Sequence, residues 1–94
     1  MFNKQLKKIN EEILTLLHLA SISDINRACV IYNVHLNVAQ VIAVMQRDTL
    51  LKLSKNVNVL IQPSMIPLET WVNLETLDDH AIAAITFSQK SCHS

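Results

Sequence analysis

Glycine is absent from the 94-residue sequence, and charged and aromatic residues are scarce. Without glycine, the chain cannot form a glycine-rich loop that cradles a phosphate group. Charged residues make up 17% of the chain, with 8 positive and 8 negative side chains. This balance excludes both a disordered polar tail and a polycation that binds DNA by charge alone. Hydrophobic residues account for 50% of the chain, more than one small domain readily buries, so we expect a homo-oligomer or an obligate partner. The alternative is a well-filled monomeric core.

Cysteine is also sparse, and no targeting segment is evident. Cys29 and Cys92 are far apart and form no Cys-x-x-Cys motif, so nothing requires an oxidising compartment. Cys29 is expected to be a buried thiol. The basic amino terminus runs into Glu11 and Glu12 rather than into an apolar signal core. The longest uncharged stretch, 28–46, contains several polar residues and is not expected to span a membrane. We therefore predict a cytoplasmic protein.

The spacing of apolar residues predicts an all-α fold, a single domain over residues 1–94 with about six short helices. The first helix begins at Phe2, and its apolar residues recur every three or four positions to Ala20. Ser23 or Asp24 is expected to cap the second helix, Asn37 the third, Asp48 the fourth and Thr76 the sixth. The later helices are predicted at about 25–32, 38–46, 49–56, 67–74 and 77–89.

One short segment, 57–62, has a β-like pattern and is stopped by Pro63. The backbone groups of an isolated strand must pair somewhere. We expect a partner from a two-fold mate or from a nearby extended segment of the same chain.

No pattern of reactive side chains predicts catalysis or metal binding. The four histidines lack ligand spacing, and no serine or cysteine lies in a nucleophile motif. Asp78 and Asp79 are adjacent, so on a helix they diverge and cannot act as an acid–base pair. We predict no enzyme, and no metal or cofactor in this chain.

The second and third predicted helices, joined by a short turn, suggest a helix-turn-helix with Ala28 and Val41 or Ile42 as its buried positions. A helix that reads DNA needs polar side chains for base edges. The third helix is apolar on nearly every side and carries no positive charge before Arg47, which is typical of a core helix.

Charge is distributed unevenly along the chain. Residues 1–55 contain seven positive and four negative side chains, whereas residues 56–94 contain one positive and four negative side chains.

The order of several residues resembles the D subunit of the bacterial flagellar master regulator, the FlhD family. The similarity runs nearly ungapped from about Lys8 to Gln62 and more loosely beyond. It is carried by Ile9-Asn10, a leucine-rich helix, Asp24 before Ala28, Ala39-x-x-x-Ala43, Lys52-Leu53, Val59-Leu60-Ile61, Thr70-x-x-x-Leu74 and Leu77-Asp78-Asp79.

The resemblance implies an intertwined helical homodimer that acts with a zinc-containing C subunit, as four D and two C chains, to activate transcription with RNA polymerase. The short, glycine-free chain is most similar to D subunits of conjugative-transfer activators. Members of the family have a glycine after the second helix. The corresponding residue here is Asn33, and asparagine also tolerates a left-handed turn. Some members of the family link the two chains of the dimer through a disulfide. The cysteine that forms it corresponds to Ile61 here, so no such disulfide is expected.

These implications assign candidate residues. Docking of the C subunit is expected near Asp24 and Arg27 or on the acidic carboxyl-terminal half. Promoter DNA contacts are expected at Gln89 and Lys90. Two other functions stay open: a stand-alone dimeric helix-turn-helix repressor, and a small adaptor or chaperone that does not bind DNA. The dimer interface is expected to contain Leu6, Ile9, Ile13, Leu16, Leu60 and Ile61.

Overall fold

A computed structural model describes residues 2–84 of the chain, and within them it contains six α-helices and no β-strand. The predicted all-α class is confirmed. One turn of 3-10 helix, Pro63–Met65, lies between the fourth and fifth helices. The later part of the helix predicted at 77–89 lies outside the described residues. The helices are α1 (Phe2–Ser23), α2 (Ile25–Tyr32), α3 (Leu36–Val44), α4 (Arg47–Asn56), α5 (Leu68–Asn73) and α6 (Asp79–Ala83).

The boundary between α1 and α2 lies at Asp24, so α1 continues three residues beyond Ala20, where the predicted apolar pattern ends. Ser23 is the last residue of α1, and its hydroxyl donates to the carbonyl of Leu19 at 2.7 Å. Asp24 is the N-cap of α2, and its carboxylate accepts a hydrogen bond from the backbone N–H of Arg27 at 3.2 Å. Asp24 is therefore confirmed as the cap.

The predicted caps of α3 and α4 were wrong by two residues. Helix α3 begins directly after His35, and α4 begins directly after Gln46, so Asn37 and Asp48 lie inside the first turns. The shift arises at α3 because Asn33, in the left-handed conformation (φ 54°, ψ 49°), reverses the chain within three residues. Asp48 in a first turn still interacts favourably with the helix dipole.

The core is formed where α1 packs against α2, α3 and α4, with α5 packed on α3 and α6 on α4. Its largest fully buried side chain is Trp71, and Cys29 is only half-buried at its margin. Burial of each large apolar side chain contributes about 1.5–3 kcal/mol. The buried members are Leu14, Leu17, Val34, Val38, Ala39, Ile42, Leu50, Leu53, Val57, Ile61, Ile66, Trp71, Leu74 and Ile82.

The predicted β-like segment is extended but is not a strand. Its backbone is held by Asn10, a fully buried residue of α1. The side-chain amide of Asn10 donates to the carbonyl of Val59 at 2.9 Å, and its oxygen accepts from the N–H of Ile61 at 2.8 Å. The amide thus makes the two hydrogen bonds that a neighbouring strand would otherwise make. The expected partner proves to be one side chain of the same chain.

Polar side chains of α4 hold the chain between α5 and α6. The ammonium group of Lys52 donates to the carbonyls of Leu77 at 2.9 Å, Glu75 at 3.3 Å and Leu74 at 3.5 Å. The predicted cap Thr76 was wrong, because its hydroxyl donates back to the carbonyl of Asn73 at 2.9 Å. The N-cap of α6 is Asp78, which accepts from the N–H of Ala81 at 2.7 Å.

Candidate interaction surfaces

Helix α1 has a row of apolar side chains beside its buried face. Ile9 is 47% exposed and Leu16 is 57% exposed, while Ile13 between them is half-buried. The row arises because the apolar residues of α1 cover more of the helix than its contacts with α2, α3 and α4 enclose. Three of the expected dimer residues therefore present apolar surface.

The extended segment also exposes apolar side chains. Asn10, which follows Ile9 in α1, holds the backbone of Val59 and Ile61, and both Val59 and Leu60 are exposed. We call Ile9, Ile13, Leu16, Val59 and Leu60 the α1 surface. The other two residues expected at a dimer interface, Leu6 and Ile61, are buried within the chain, so their apolar area is already used by its own interior.

A hollow of about 450 Å³ borders the α1 surface at Leu16. Its remaining lining comes from Lys8, Glu11, Glu12, Thr15 and, from the start of α4, Arg47. The apolar row is thus bounded on one side by charged side chains of both signs. An apolar strip with a charged border is the usual anatomy of a protein–protein contact.

The outward side of α2 combines one ion pair with exposed apolar residues. Arg27 and Asp24 lie 3.9 Å apart (Nε to Oδ2), with side chains 72% and 58% exposed. One turn further, Val30 is 81% exposed and Ile31 is 60% exposed. A pair so exposed contributes little to folding. We call Asp24, Arg27, Val30 and Ile31 the α2 surface, whose apolar half the sequence analysis did not anticipate.

Helices α2 and α3 are arranged as in a helix-turn-helix. The chain direction turns by 118° between them across a connection of three residues, within the range for that motif. Ala28 and Ile42, two of the positions expected to be buried, are fully enclosed. In the part of the chain that the structure describes, no single helix is long and apolar enough to cross a bilayer, and this bent pair meets that criterion only when both helices are counted together.

One side of α3 faces outward, so the description of α3 as a core helix holds for only half of its circumference. Val38, Ala39 and Ile42 are buried. We call the opposite side, which is exposed, the α3 face. It consists of Leu36, Asn37, Gln40 and Val44.

A second hollow, of about 430 Å³, lies between the α2–α3 turn and the chain from Pro63 to Leu68. Its lining includes His35 and Met65. Among residues 2–84, no three histidine, cysteine or acidic side chains converge as they would around a metal ion. Gln89 and Lys90, expected to contact DNA, lie outside the described residues.

Comparison of the chain with protein-family models, with curated proteins and with solved structures gives no match. The surfaces described above and the residue pattern noted in the sequence are therefore the features that bear on function. Asn10 carried a signal that the sequence analysis overlooked. It is a polar member of the buried row of α1, between Leu6 and Leu14, and a polar residue there needs a hydrogen-bonding partner.

Proposed function

We propose that this chain is the D-type subunit of a heteromeric transcriptional activator similar to the flagellar master regulator. In this proposal it forms a homodimer, docks a zinc-containing C subunit in the cytoplasm, and binds promoter DNA as part of that complex. The complex then contacts RNA polymerase and activates genes, in our proposal those of conjugative transfer. The chain itself serves to assemble and position the other components.

The α1 surface is the observation that carries this proposal. Thirteen large hydrophobic side chains remain exposed among residues 4–84, and four of them, with half-buried Ile13, form the α1 surface. Burial of apolar area contributes about 25 cal/mol per Å². A second copy of the chain would cover these residues by a two-fold contact, which pairs the same patch on both subunits. The FlhD family dimer, to which the residue pattern points, requires such a contact.

The α2 surface supports the docking of a second protein. Val30 and Ile31 supply apolar area, and the Arg27–Asp24 pair supplies charges that fix orientation. Interfaces between different proteins commonly place apolar anchors beside such charges. Docking at this surface leaves the α1 surface free for the second copy.

Sedimentation of the full chain tests the dimer. We expect a dimer at micromolar concentration, and we expect Leu16→Asp to convert it to a monomer, because a buried carboxylate without a partner costs several kcal/mol. Val72→Asp is the matched control, since Val72 is 56% exposed on α5 and Leu16 is 57% exposed on α1. A wild-type chain that sediments as a monomer, or a dimer that survives Leu16→Asp, would contradict the proposal.

Co-purification tests the partner. The candidate is the product of a neighbouring reading frame that encodes a basic protein with four clustered cysteines. Zinc should co-elute with the complex, and Arg27→Glu should weaken it, whereas Lys4→Glu, an exposed charge reversal at the start of α1, should not. The cap of α2 survives Arg27→Glu because Asp24 binds the backbone N–H of residue 27. Failure to form any such complex would count against an activator subunit.

The 118° turn between α2 and α3 favours a second candidate, a stand-alone dimeric helix-turn-helix repressor. A gel-shift experiment separates the two functions. Specific promoter binding by the purified chain without a second protein would favour the repressor. Binding only in the presence of the C subunit would favour the activator.

A further inference from the structure

The α3 face has the composition of a helix surface that reads base edges. Asn37 and Gln40 are three residues apart, so they lie on neighbouring turns of one side, and both are exposed. Asparagine and glutamine make two hydrogen bonds to adenine in the major groove. Leu36 and Val44, the exposed apolar members of the same side, offer contacts of the kind that the thymine methyl group accepts.

The position of α3 in the fold allows such contact. It is the second helix of the α2–α3 pair, and in a helix-turn-helix the second helix enters the major groove with its amino-terminal residues on the bases. Leu36, Asn37 and Gln40 belong to the first two turns of α3. Helix α3 spans nine residues, a length of about 13 Å, which is enough to follow about four base pairs.

The charges around α3 are compatible with DNA. Between residues 25 and 47 the two charged side chains are Arg27 and Arg47; carboxylates lie directly outside this stretch at Asp24, which pairs with Arg27, and at Asp48. Arg47 begins the helix that follows α3 and is exposed, and it does not belong to the α2 surface assigned to the second subunit. In the motif, the elements that flank the second helix contact the phosphate backbone, where positive charge attracts the duplex.

We propose that the α3 face reads A·T-rich duplex DNA in the major groove. The inference deepens the proposed function, in which the chain acts at promoter DNA, by assigning base contacts to Asn37 and Gln40. The proposed base contacts lie in the amino-terminal half of the chain, which has a net positive charge. Residues 56–84 contain acidic side chains but no lysine or arginine.

Amide NMR spectra of the isotope-labelled full chain, titrated with A·T-rich and with G·C-rich duplexes at low salt, test the inference directly. Such spectra detect the weak affinity expected of a chain that has few basic side chains near α3 and no partner subunit. We expect the largest shifts at the side-chain amides of Asn37 and Gln40 and at the backbone of the first two turns of α3. The shifts should be larger with the A·T-rich duplex.

A double variant measures the contribution of the amides. Asn37→Ala with Gln40→Ala should reduce the preference for A·T-rich over G·C-rich duplex by about tenfold or more. The variant should fold, because both side chains are exposed. Gln62→Ala with Asn73→Ala removes two exposed amides elsewhere on the surface and should leave the preference unchanged.

Three results would overturn the inference. One is the absence of α3 shifts at duplex concentrations of about 1 mM, beyond the usual range of non-specific dissociation constants. Another is an unchanged preference in the α3 double variant. The third is a set of α3 shifts that follows protein concentration without DNA, which would make this side a protein interface.

The outcome is separable from that of the proposed function. If a C subunit co-purifies but DNA causes no shifts at α3, the DNA contact is refuted and the proposed activator subunit is not. If DNA causes shifts at α3 but no C subunit binds, the proposed activator subunit is refuted and the DNA contact is not.

Discussion

The two parts of the described chain are stabilised in different ways. Residues 2–56 form four helices that pack through apolar side chains, and their backbone hydrogen bonds lie mostly within the helices. In residues 57–84 the longest helix has six residues, and the chain between the helices is irregular. This second region depends on side chains of the first, because Asn10 and Lys52 bind its backbone across long separations in sequence.

The difference shows how residues 57–84, with short helices and no strand, can still satisfy their polar backbone. A regular helix satisfies its own N–H and C=O groups, whereas an irregular segment needs partners from elsewhere. In this protein a few polar side chains of α1 and α4 supply those partners. The second region is therefore expected to lose its structure first when its anchors are removed.

Asn10→Leu should give the largest effect. It leaves the carbonyl of Val59 and the N–H of Ile61 without their partner, and two such groups together cost about 2–4 kcal/mol. Urea unfolding followed by Trp71, the single tryptophan, reports on the second region. Asn73→Leu, an exposed amide of α5, serves as the control. A loss below about 0.5 kcal/mol, the usual size of a surface substitution, would show that Asn10 does not anchor the segment.

Lys52→Met should destabilise the protein by about 1–3 kcal/mol, because the ammonium group loses its carbonyl partners while the methionine keeps the apolar stem. Circular dichroism, dominated by α1–α4, should change less at intermediate urea concentration than Trp71 fluorescence does. The exposed Lys55→Met is the matched control. Coincident transitions for both probes would instead show that the two regions unfold as one unit.

The two carboxylate caps allow a direct comparison between the regions. Asp24→Ala removes the cap of α2, and Asp78→Ala removes the cap of α6. Each change should cost about 1 kcal/mol in the free energy of unfolding. If only Asp24→Ala has an effect on the global transition, α6 does not belong to the cooperative unit.

The smallest effect is expected at Asn33, the one residue of positive φ among those described. Asn33→Gly should change stability by no more than about 0.5 kcal/mol, because glycine adopts the left-handed conformation freely. Asn33→Ala should cost about 1 kcal/mol, because alanine keeps the Cβ that crowds the carbonyl in that conformation but lacks the polar side chain that lets asparagine adopt it. Thermal melts of the two variants measure the difference. Equal melting temperatures would mean that the turn relaxes.

Several features could be predicted from local pattern. The bounds of α2 agreed with the prediction, and its cap is Asp24, one of the two residues expected there, because both depend on neighbouring residues. The caps of α3 and α4 could not be predicted in this way. Several polar residues near the start of each helix can act as an N-cap, and the direction in which the chain enters the helix selects among them. The β-like pattern of 57–62 identified an extended backbone but not its partner, which lies 49 residues away at Asn10.

By itself, the sequence determined the all-α class, the apolar row of α1 and the excess of hydrophobic residues, because helix periodicity and composition are local properties. Only the tertiary structure decided which apolar residues remain outside. Leu6 and Ile61 are enclosed, whereas Leu16, Leu60 and Val30 are exposed, although all five are comparable in hydrophobicity. The physical reason is that burial depends on which side of each helix meets a neighbour, and that is set by contacts between residues far apart in the chain.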